Sequence, residues 1–312
     1  LITIIGAGRV GATAAAFLML YEVDRELLLL DIVEGLPQGE AMDLNHAAAI
    51  LGKDVNVRGS NSYEEMAGSD IVVVTAGFPR RPGMTREELV GKNAEIVASL
   101  ADKVRAYAPK AITIITTNPL DAMVYLYFKR LGFPRQRVLG FSGVLDAGRL
   151  AHAAGRLLDI SPSSITAVVL GQHGEGMYPA LELSDVGGTP LASLLSREQF
   201  ERAVEETVKA GALITELRKF SSNWGPGAGL ALMCDAIKKD RRRVLEASVY
   251  LDGEYGVRDV FAEVPIVLGR QGVERIIEIP LSEEQRARFL ESVARIRANL
   301  SEIPASLLAP RP

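Results

Sequence analysis

The sequence predicts an α/β fold, a doubly wound parallel sheet followed by a mixed α+β half, and three observations carry that expectation. Short continuous apolar runs recur through the first part of the chain, each closing on Gly, Asp, Thr or Asn. Stretches of helical length and spacing separate them. The alternation then breaks after about residue 142. A continuous apolar run of strand length suits a strand covered on both faces, as in a parallel sheet. Strands that alternate with helices imply right-handed crossovers.

The expected strands are Leu1 to Ile5, Leu27 to Asp31, Ile71 to Thr75, Ile112 to Thr116 and Val138 to Gly140, with a short further one at Asp54 to Val57. Val10 to Leu20 and Arg86 to Tyr107 are helices between them. Beyond residue 142 the pattern gives a helix from Asp146 to Leu158 and a strand from Ile165 to Leu170. Two long helices follow, opening on the capping boxes Ser196-Arg-Glu-Gln199 and Ser282-Glu-Glu-Gln285. Between them, Leu245 to Leu251 and Val257 to Leu268 flank Asp252-Gly253, a hairpin signal. The implied division is residues 1–142 and 143–312. The last dozen residues, with Pro304, Pro310 and Pro312, are expected to fray.

A chain of 312 residues with 48% hydrophobic and 24% charged side chains has room for two cores. The net charge is −4 and no basic block of five occurs. Lys238, Lys239 and Arg241 to Arg243 suit the end of a helix, so a nucleic-acid surface is not expected. No run approaches the roughly 18 apolar residues of a membrane span. Cys234, the single cysteine, lies in the apolar stretch Leu230 to Ile237 and reads as a packed thiol. The sequence opens directly in a strand-like run, so no signal peptide is expected unless the start is trimmed, and the expected setting is reducing and cytoplasmic. Scarce Asn and Gln beside many charges suggest a heat-adapted source.

Gly6-Ala7-Gly8-Arg9-Val10-Gly11 follows the first strand and opens the first helix. Its glycines suit a tight turn, a close backbone approach to a pyrophosphate, and close helix–strand packing. The helix N-terminus supplies free N–H groups and a positive dipole end. Asp31 ends the second strand 20 residues after Gly11, where a carboxylate can accept both ribose hydroxyls. The first half is therefore expected to be a Rossmann-type dinucleotide domain. Asp31 would repel a 2′-phosphate, and Ile32, Val33 and Glu34 bring no compensating arginine, so NAD is expected over NADP. Thr75-Ala76-Gly77 and Thr117-Asn118-Pro119 end later strands and border the same crevice. Thr75, Gly77, Asn93 and Asn118 complete the expected cofactor set with Gly6, Gly8, Gly11 and Asp31.

Of the three histidines, His46 and His152 fit structural roles, whereas His173 sits in the glycine-flanked loop Gly171-Gln-His-Gly-Glu-Gly176. Such an imidazole either faces a cleft or is a surface residue. Asp146 and Arg149 share one side of a helix start, as an i,i+3 ion pair or as a carboxylate for a histidine and a guanidinium for a substrate. Gly77-Phe-Pro-Arg-Arg-Pro-Gly-Met-Thr-Arg86 has glycines that could hinge a lid, and its arginines are either solvated or forks for carboxylates.

These motifs, in this order, resemble the malate and lactate dehydrogenase family. The resemblance runs through the glycine motif, Met42-Asp-Leu-Asn-His46, Thr117-Asn-Pro119, Leu145-Asp-Ala-Gly-Arg149, Gly171-Gln-His-Gly-Glu175 and Gly253-Glu-Tyr-Gly256. It is nearest to the lactate-dehydrogenase-like malate dehydrogenases of archaea and bacteria. It implies His173 as the proton donor and acceptor, with Asp146 as its partner. It implies Arg149 on the C1 carboxylate, Arg86 on the C2 carbonyl, and Asn118 touching substrate and nicotinamide. Arg80 matches the position that separates malate enzymes, with Arg, from lactate enzymes, with Gln. Ser222 is the expected pocket hydroxyl, and Glu175 stands where the family usually has Asp. A dicarboxylate substrate, no metal, a homodimer or homotetramer and a place in the tricarboxylic acid cycle follow from the same resemblance. An L-lactate dehydrogenase is the alternative. An NAD-dependent glycosidase would need a metal, and no Cys/His cluster lies near the cofactor segments. A bare NAD-binding module would have no need of His173, Asp146, Arg149 and Arg86 together.

Overall fold

The computed structural model describes residues 1–78 and 86–309, with the side chains of Arg86 and Glu87 outside that description. The first half comprises β1 (Ile2–Ile5), α1 (Arg9–Leu20), β2 (Glu26–Leu30), α2 (Leu36–Leu51), β3 (Asn56–Ser60), β4 (Ile71–Val74), α3 (Arg86–Tyr107), β5 (Ile112–Ile115), α4 (Leu120–Leu131) and β6 (Val138–Gly140). Its six strands run parallel in the order β3-β2-β1-β4-β5-β6. Every residue of β1, β4 and β5 is buried, because helices cover both faces of the sheet. The short strand expected at Asp54 to Val57 instead begins at Asn56 and follows β2 through to Ser60.

The second half comprises α5 (Gly143–Leu158), β7 (Ile165–Thr166), β8 (Val169–Gly171), β9 (Met177–Pro179), β10 (Asp185–Val186), β11 (Thr189–Pro190), α6 (Leu191–Leu194), α7 (Arg197–Arg218), α8 (Trp224–Lys238), β12 (Arg243–Asp252), β13 (Arg258–Gly269), β14 (Gly272–Ile276), α9 (Glu283–Leu300) and α10 (Ala305–Leu308). The sheet does not stop where the composition changes. Gly140 of β6 pairs antiparallel with Ser248 of β12, and the ladder continues through β13, β8 and β9, with β14 on β13. Both capping boxes form as expected. The β12–β13 hairpin forms too, though a bulge at Leu251/Asp252 and a short helical turn at Glu254–Gly256 replace a two-residue turn.

Three expectations are corrected. The run Ile165 to Leu170 is two strands: β7 joins β10 and β11 in a small sheet, whereas β8 joins β13. Between them the Val168 N–H leaves the ladder and donates to Ser184 Oγ at 2.9 Å. The region also holds a third long helix, α8, whose opening Trp-Gly-Pro-Gly-Ala-Gly has poor helix propensity. Tertiary contact overrides propensity there. A Cβ at Gly227 would collide with Thr13 and Ala14 of α1, and Asn223 Nδ2 donates to Thr13 Oγ1 at 2.8 Å. Thus α8 lies directly against the helix that follows the glycine loop.

The third correction concerns the C-terminal residues as far as Ala309, with Pro310 and Pro312 lying outside the described residues. Arg130, only 1% exposed, donates to the carbonyls of Leu307 and Ala309 at 3.2 and 2.8 Å. Its other nitrogens clasp both oxygens of Asp102 at 2.9 and 2.7 Å. His46 and His152, expected in satisfied structural positions, are both exposed. Cys234 is buried among apolar neighbours, which pushes its thiol up to about 12. Breaking a buried charge pair by removing one partner costs about 3–5 kcal/mol. Arg130→Ala should therefore lower unfolding free energy by roughly 3 kcal/mol, and hydrogen exchange should accelerate in α10. Unchanged chemical denaturation would refute this role for Arg130.

Candidate active site

The glycine motif forms the turn between β1 and α1. Gly6 has φ +110°, and its N–H donates to Leu30 O at 2.7 Å. A Cβ there would meet Thr75, and one at Gly11 would run into the Gly6 carbonyl oxygen. Thr75 Oγ1 donates to that carbonyl at 2.9 Å, tying the loop to the end of β4. Around Gly8, by contrast, a Cβ would meet nothing within 4 Å, and Gly8 caps α1 with no side-chain acceptor for the first-turn N–H groups. Open space above free N–H groups at a helix N-terminus fits a pyrophosphate. Asp31 stands beside it, its carboxylate accepting the Ala7 N–H at 2.8 Å and the Val33 N–H at 2.9 Å. These residues fit a bound dinucleotide, with Asp31 at the ribose end.

The ends of β4 and β5 are locked to each other. Asn93 of α3 is buried, and its side chain accepts the Phe78 N–H at 2.6 Å and donates to the Asn118 carbonyl at 2.8 Å. Its amide thus holds the two turns together. Gly77 lies against Thr117, whose hydroxyl donates to Ala76 O at 2.6 Å. The Asn118-Pro119 peptide is cis, and Asn118 is exposed at the crevice.

On the other side of the crevice, α5 and the loop after β8 converge. Asp146 is fully buried in the first turn of α5. Its Oδ2 lies 2.5 Å from His173 Nδ1, and its Oδ1 accepts from Arg149 Nη1 at 2.9 Å. The i,i+3 ion pair forms, and the same carboxylate also meets the histidine. His173 keeps 16% of its side chain exposed, so the ring is not sealed in the core as Asp146 is. Burial alone would drive its proton off, but the Asp146 charge and hydrogen bond outweigh burial and raise its pKa.

Asp121 and Glu263 were not singled out from the sequence. Asp121, in the first turn of α4, accepts the His173 backbone N–H at 2.9 Å and the Ser248 hydroxyl at 2.7 Å. Burial raises its pKa to about 6 against those two donors. An acid three residues after Asn118 is an ordinary helix-start residue, so spacing gave no warning. Glu263 is fully buried in β13. Its signal was legible, as the one charge within the apolar run Val260 to Leu268 of that strand. Ligand-type atoms of Asp146, His173 and Glu263 all lie within 4.8 Å of one another, but His173 Nδ1 is already engaged by Asp146.

Arg149 and Ser222 line a 950 Å³ cleft between α5, α7 and α8, together with Leu145, Leu213 and Trp224. His173 does not line that cleft. Arg80 and Arg81 lie outside the described residues, as does the Arg86 side chain.

A dinucleotide-binding turn facing a buried carboxylate–imidazole pair, with a guanidinium on the same carboxylate, defines a dinucleotide-dependent enzyme that moves a proton. Residues 1–140 match the family model described as lactate/malate dehydrogenase, NAD binding domain, and residues 143–306 match its alpha/beta C-terminal domain. The chain is 65% identical to a malate dehydrogenase of Caldivirga maquilingensis, over 99% of this chain and 100% of that one. Its fold is similar to the solved malate dehydrogenase of Aeropyrum pernix, with TM-score 0.95 and 53% identity over 99% and 100% of the two chains. It is also similar to the lactate dehydrogenase of Cryptosporidium parvum solved with lactic acid and nicotinamide adenine dinucleotide, with TM-score 0.93 and 34% identity over 97% of each chain. The chain belongs to the lactate/malate dehydrogenase family and is an NAD-dependent 2-hydroxy-acid dehydrogenase.

The placement of Asp31 against the glycine loop leads to a cofactor prediction. A 2′-phosphate there would stand beside a carboxylate, and Ile32, Val33 and Glu34 after it bring no cation. Asp31→Ser should narrow the gap in kcat/KM between NADH and NADPH, chiefly by raising the NADPH value. Equal wild-type values for the two cofactors would show that Asp31 does not discriminate.

Proposed function

We propose that the chain interconverts malate and oxaloacetate, with His173 as the acid–base group and Asp146 as its partner. The observation that carries this reading is the short His173–Asp146 contact on a buried carboxylate that Arg149 also holds. NAD, when bound, supplies or accepts the hydride at the substrate C2.

With Nδ1 engaged by Asp146, His173 has Nε2 left to face the substrate oxygen. In oxaloacetate reduction, negative charge grows on that oxygen and the imidazolium donates its proton to it. In malate oxidation the imidazole starts neutral and removes the hydroxyl proton. Asp146 holds the ring and favours its charged form, and Arg149 extends from the same helix to take the C1 carboxylate. Arg86 is assigned to the C2 carbonyl, Asn118 to substrate and nicotinamide, and Ser222 to the pocket wall. Arg80 is assigned to the distal carboxylate, because one guanidinium at Arg149 can pair with only one of the two. Two arginines suit a dicarboxylate. A methyl in place of the distal carboxylate would leave a desolvated cation unpaired. The fold alone does not choose between malate and lactate, since relatives with either name share it closely.

Exposed Met42, Ile50 and Leu51 on α2, with Leu213, Leu217 and Trp224 beside the cleft, support a homodimer or homotetramer. No helix among the described residues is long and apolar enough to cross a membrane. The single buried thiol supports a cytoplasmic setting.

Three outcomes test the reading. His173→Asn should lower kcat about 10²- to 10⁴-fold, with NADH binding kept. Near-normal turnover in that variant would remove His173 from the chemistry.

The raised pKa of His173 sets the pH dependence. Oxaloacetate reduction needs the protonated ring, so its kcat/KM should persist above the ordinary histidine value of about 6.5 and then fall. Malate oxidation needs the neutral ring and should rise over the same interval. Limbs that do not mirror each other would separate the two directions from one shared group.

Arg80→Gln should cut kcat/KM for oxaloacetate by about 10²-fold, since stranding one member of a buried charge pair costs about 2–5 kcal/mol. The pyruvate value should hold or rise, and Arg81→Gln should do little. A pyruvate-to-oxaloacetate ratio untouched by either change would favour the lactate alternative.

A further inference from the structure

Glu263 is 0% exposed, and among the described residues neither carboxylate oxygen has a hydrogen-bond donor. Strand register fixes where it points. Glu263 of β13 pairs with Ser248 of β12 on one side and with Gly171 of β8 on the other. Directly paired residues put their side chains on the same face. Ser248 uses that face to hold Asp121, and Gly171 begins the loop that carries His173. Glu263 therefore reaches into the layer where Asp121 and Asp146 meet the imidazole, with its carboxyl within 4.8 Å of the ligand-type atoms of both Asp146 and His173. Glu263 feels Asp146 from α5, Glu246 from β12 and Asp121 from α4, with His173 within 4.8 Å and Arg149 on the other oxygen of Asp146. Four carboxyl groups thus crowd around one imidazole.

Such a cluster cannot hold every carboxyl ionised, because two adjacent buried carboxylates are stable only when a proton is shared. Asp146 already has two donors and Asp121 has two, whereas Glu263 has none. Glu263 is therefore where the proton belongs. Burial first, then the charges of Asp146 and Glu246, raise its pKa well above the ordinary carboxylate value. The Ser142 hydroxyl opposes this weakly, from outside hydrogen-bond geometry.

We propose that Glu263 is a positioning residue for proton transfer: as a neutral carboxylic acid it donates its proton toward Asp146 and so limits how firmly Asp146 holds the proton of His173. The inference rests on the assignment of His173 as the acid–base group. A third donor on Asp146 spreads its charge over more partners and leaves less for the imidazolium. His173 then releases its proton more easily in malate oxidation than it would beside Asp146 and Arg149 alone. A buried acid whose oxygens receive no donor costs stability, which fits a group retained for its effect on the site.

The test compares Glu263→Gln and Glu263→Met in the intact enzyme. The amide of Gln can still donate toward Asp146, and Met cannot. In kcat/KM for malate against pH, Glu263→Met should move the acidic limb upward by about half a pH unit or more. Glu263→Gln should keep the wild-type limb. A limb unmoved in Glu263→Met overturns the proposal, as does a downward shift in Glu263→Gln, which would mean that wild-type Glu263 is ionised.

Thermal unfolding gives a readout independent of turnover, which stands even if the Met variant does not fold. The unfolded chain ionises Glu263 near its ordinary value of about 4.3, while the folded chain keeps it protonated. Wild-type stability should therefore fall relative to Glu263→Gln as pH rises from about 5 to 8. A constant gap in Tm overturns the proposal. If His173→Asn keeps its turnover, the assignment of His173 fails instead, and the Tm series still reports whether Glu263 carries a proton.

Discussion

A carboxylate with no solvent around it governs the site. Asp146 is fully buried, and a lone charge there would be prohibitively costly. It is tolerated because each oxygen has a partner, His173 on one and Arg149 on the other. Removing either partner would leave a buried charge underused, so the three side chains form one electrostatic unit rather than two separate pairs. The orientation of the imidazole and the position of the guanidinium are both consequences of that single constraint.

The fold delivers the partners from separate places, and hydrogen bonds hold them in register. Asp146 rises from the first turn of α5 and Arg149 from the second, and the helix starts just after β6 ends. His173 arrives on a loop after β8, and its backbone N–H is fixed by Asp121 from α4. The helix α4 begins at the Asn118-Pro119 turn, which Asn93 ties to the end of β4. A continuous set of hydrogen bonds thus runs from the carboxyl ends of the parallel strands, the place a dinucleotide suits, to the His173–Asp146 pair. Because β6 pairs with β12, the same sheet underlies both ends of that connection.

Most of this was legible because its causes are local. Apolar runs gave the six parallel strands, and the capping boxes gave the starts of α7 and α9. The glycine motif with Asp31 gave the cofactor turn, since each glycine answers a local steric demand. What sequence reasoning missed depends on contacts between distant segments. Helix α8 survives its glycines through packing on α1, and the C-terminal residues are ordered by Arg130. The break between β7 and β8 depends on Ser184, which is remote in sequence. Asp121 looked like a helix-start acid until the fold brought His173 to it. The pairing of Asp146 with His173 came from family resemblance, because no spacing rule connects residues 27 apart.

The cluster behind His173 also limits how far stability and chemistry can be optimised together. Asp121 is raised to about 6 and Glu246 to about 7, each by burial, so both resist the ionisation they would undergo in water. A core chosen for stability alone would replace such groups with apolar residues of similar size. Buried acids beside a histidine make its proton affinity depend on where their own protons lie, and the role proposed for His173 needs that proton released in one direction and recovered in the other. Asp146 fixes the imidazole in place, and the neighbouring acids then determine how much of its charge the imidazole feels. The two tasks fall to different residues because a carboxylate that holds the ring rigidly cannot also vary its own charge.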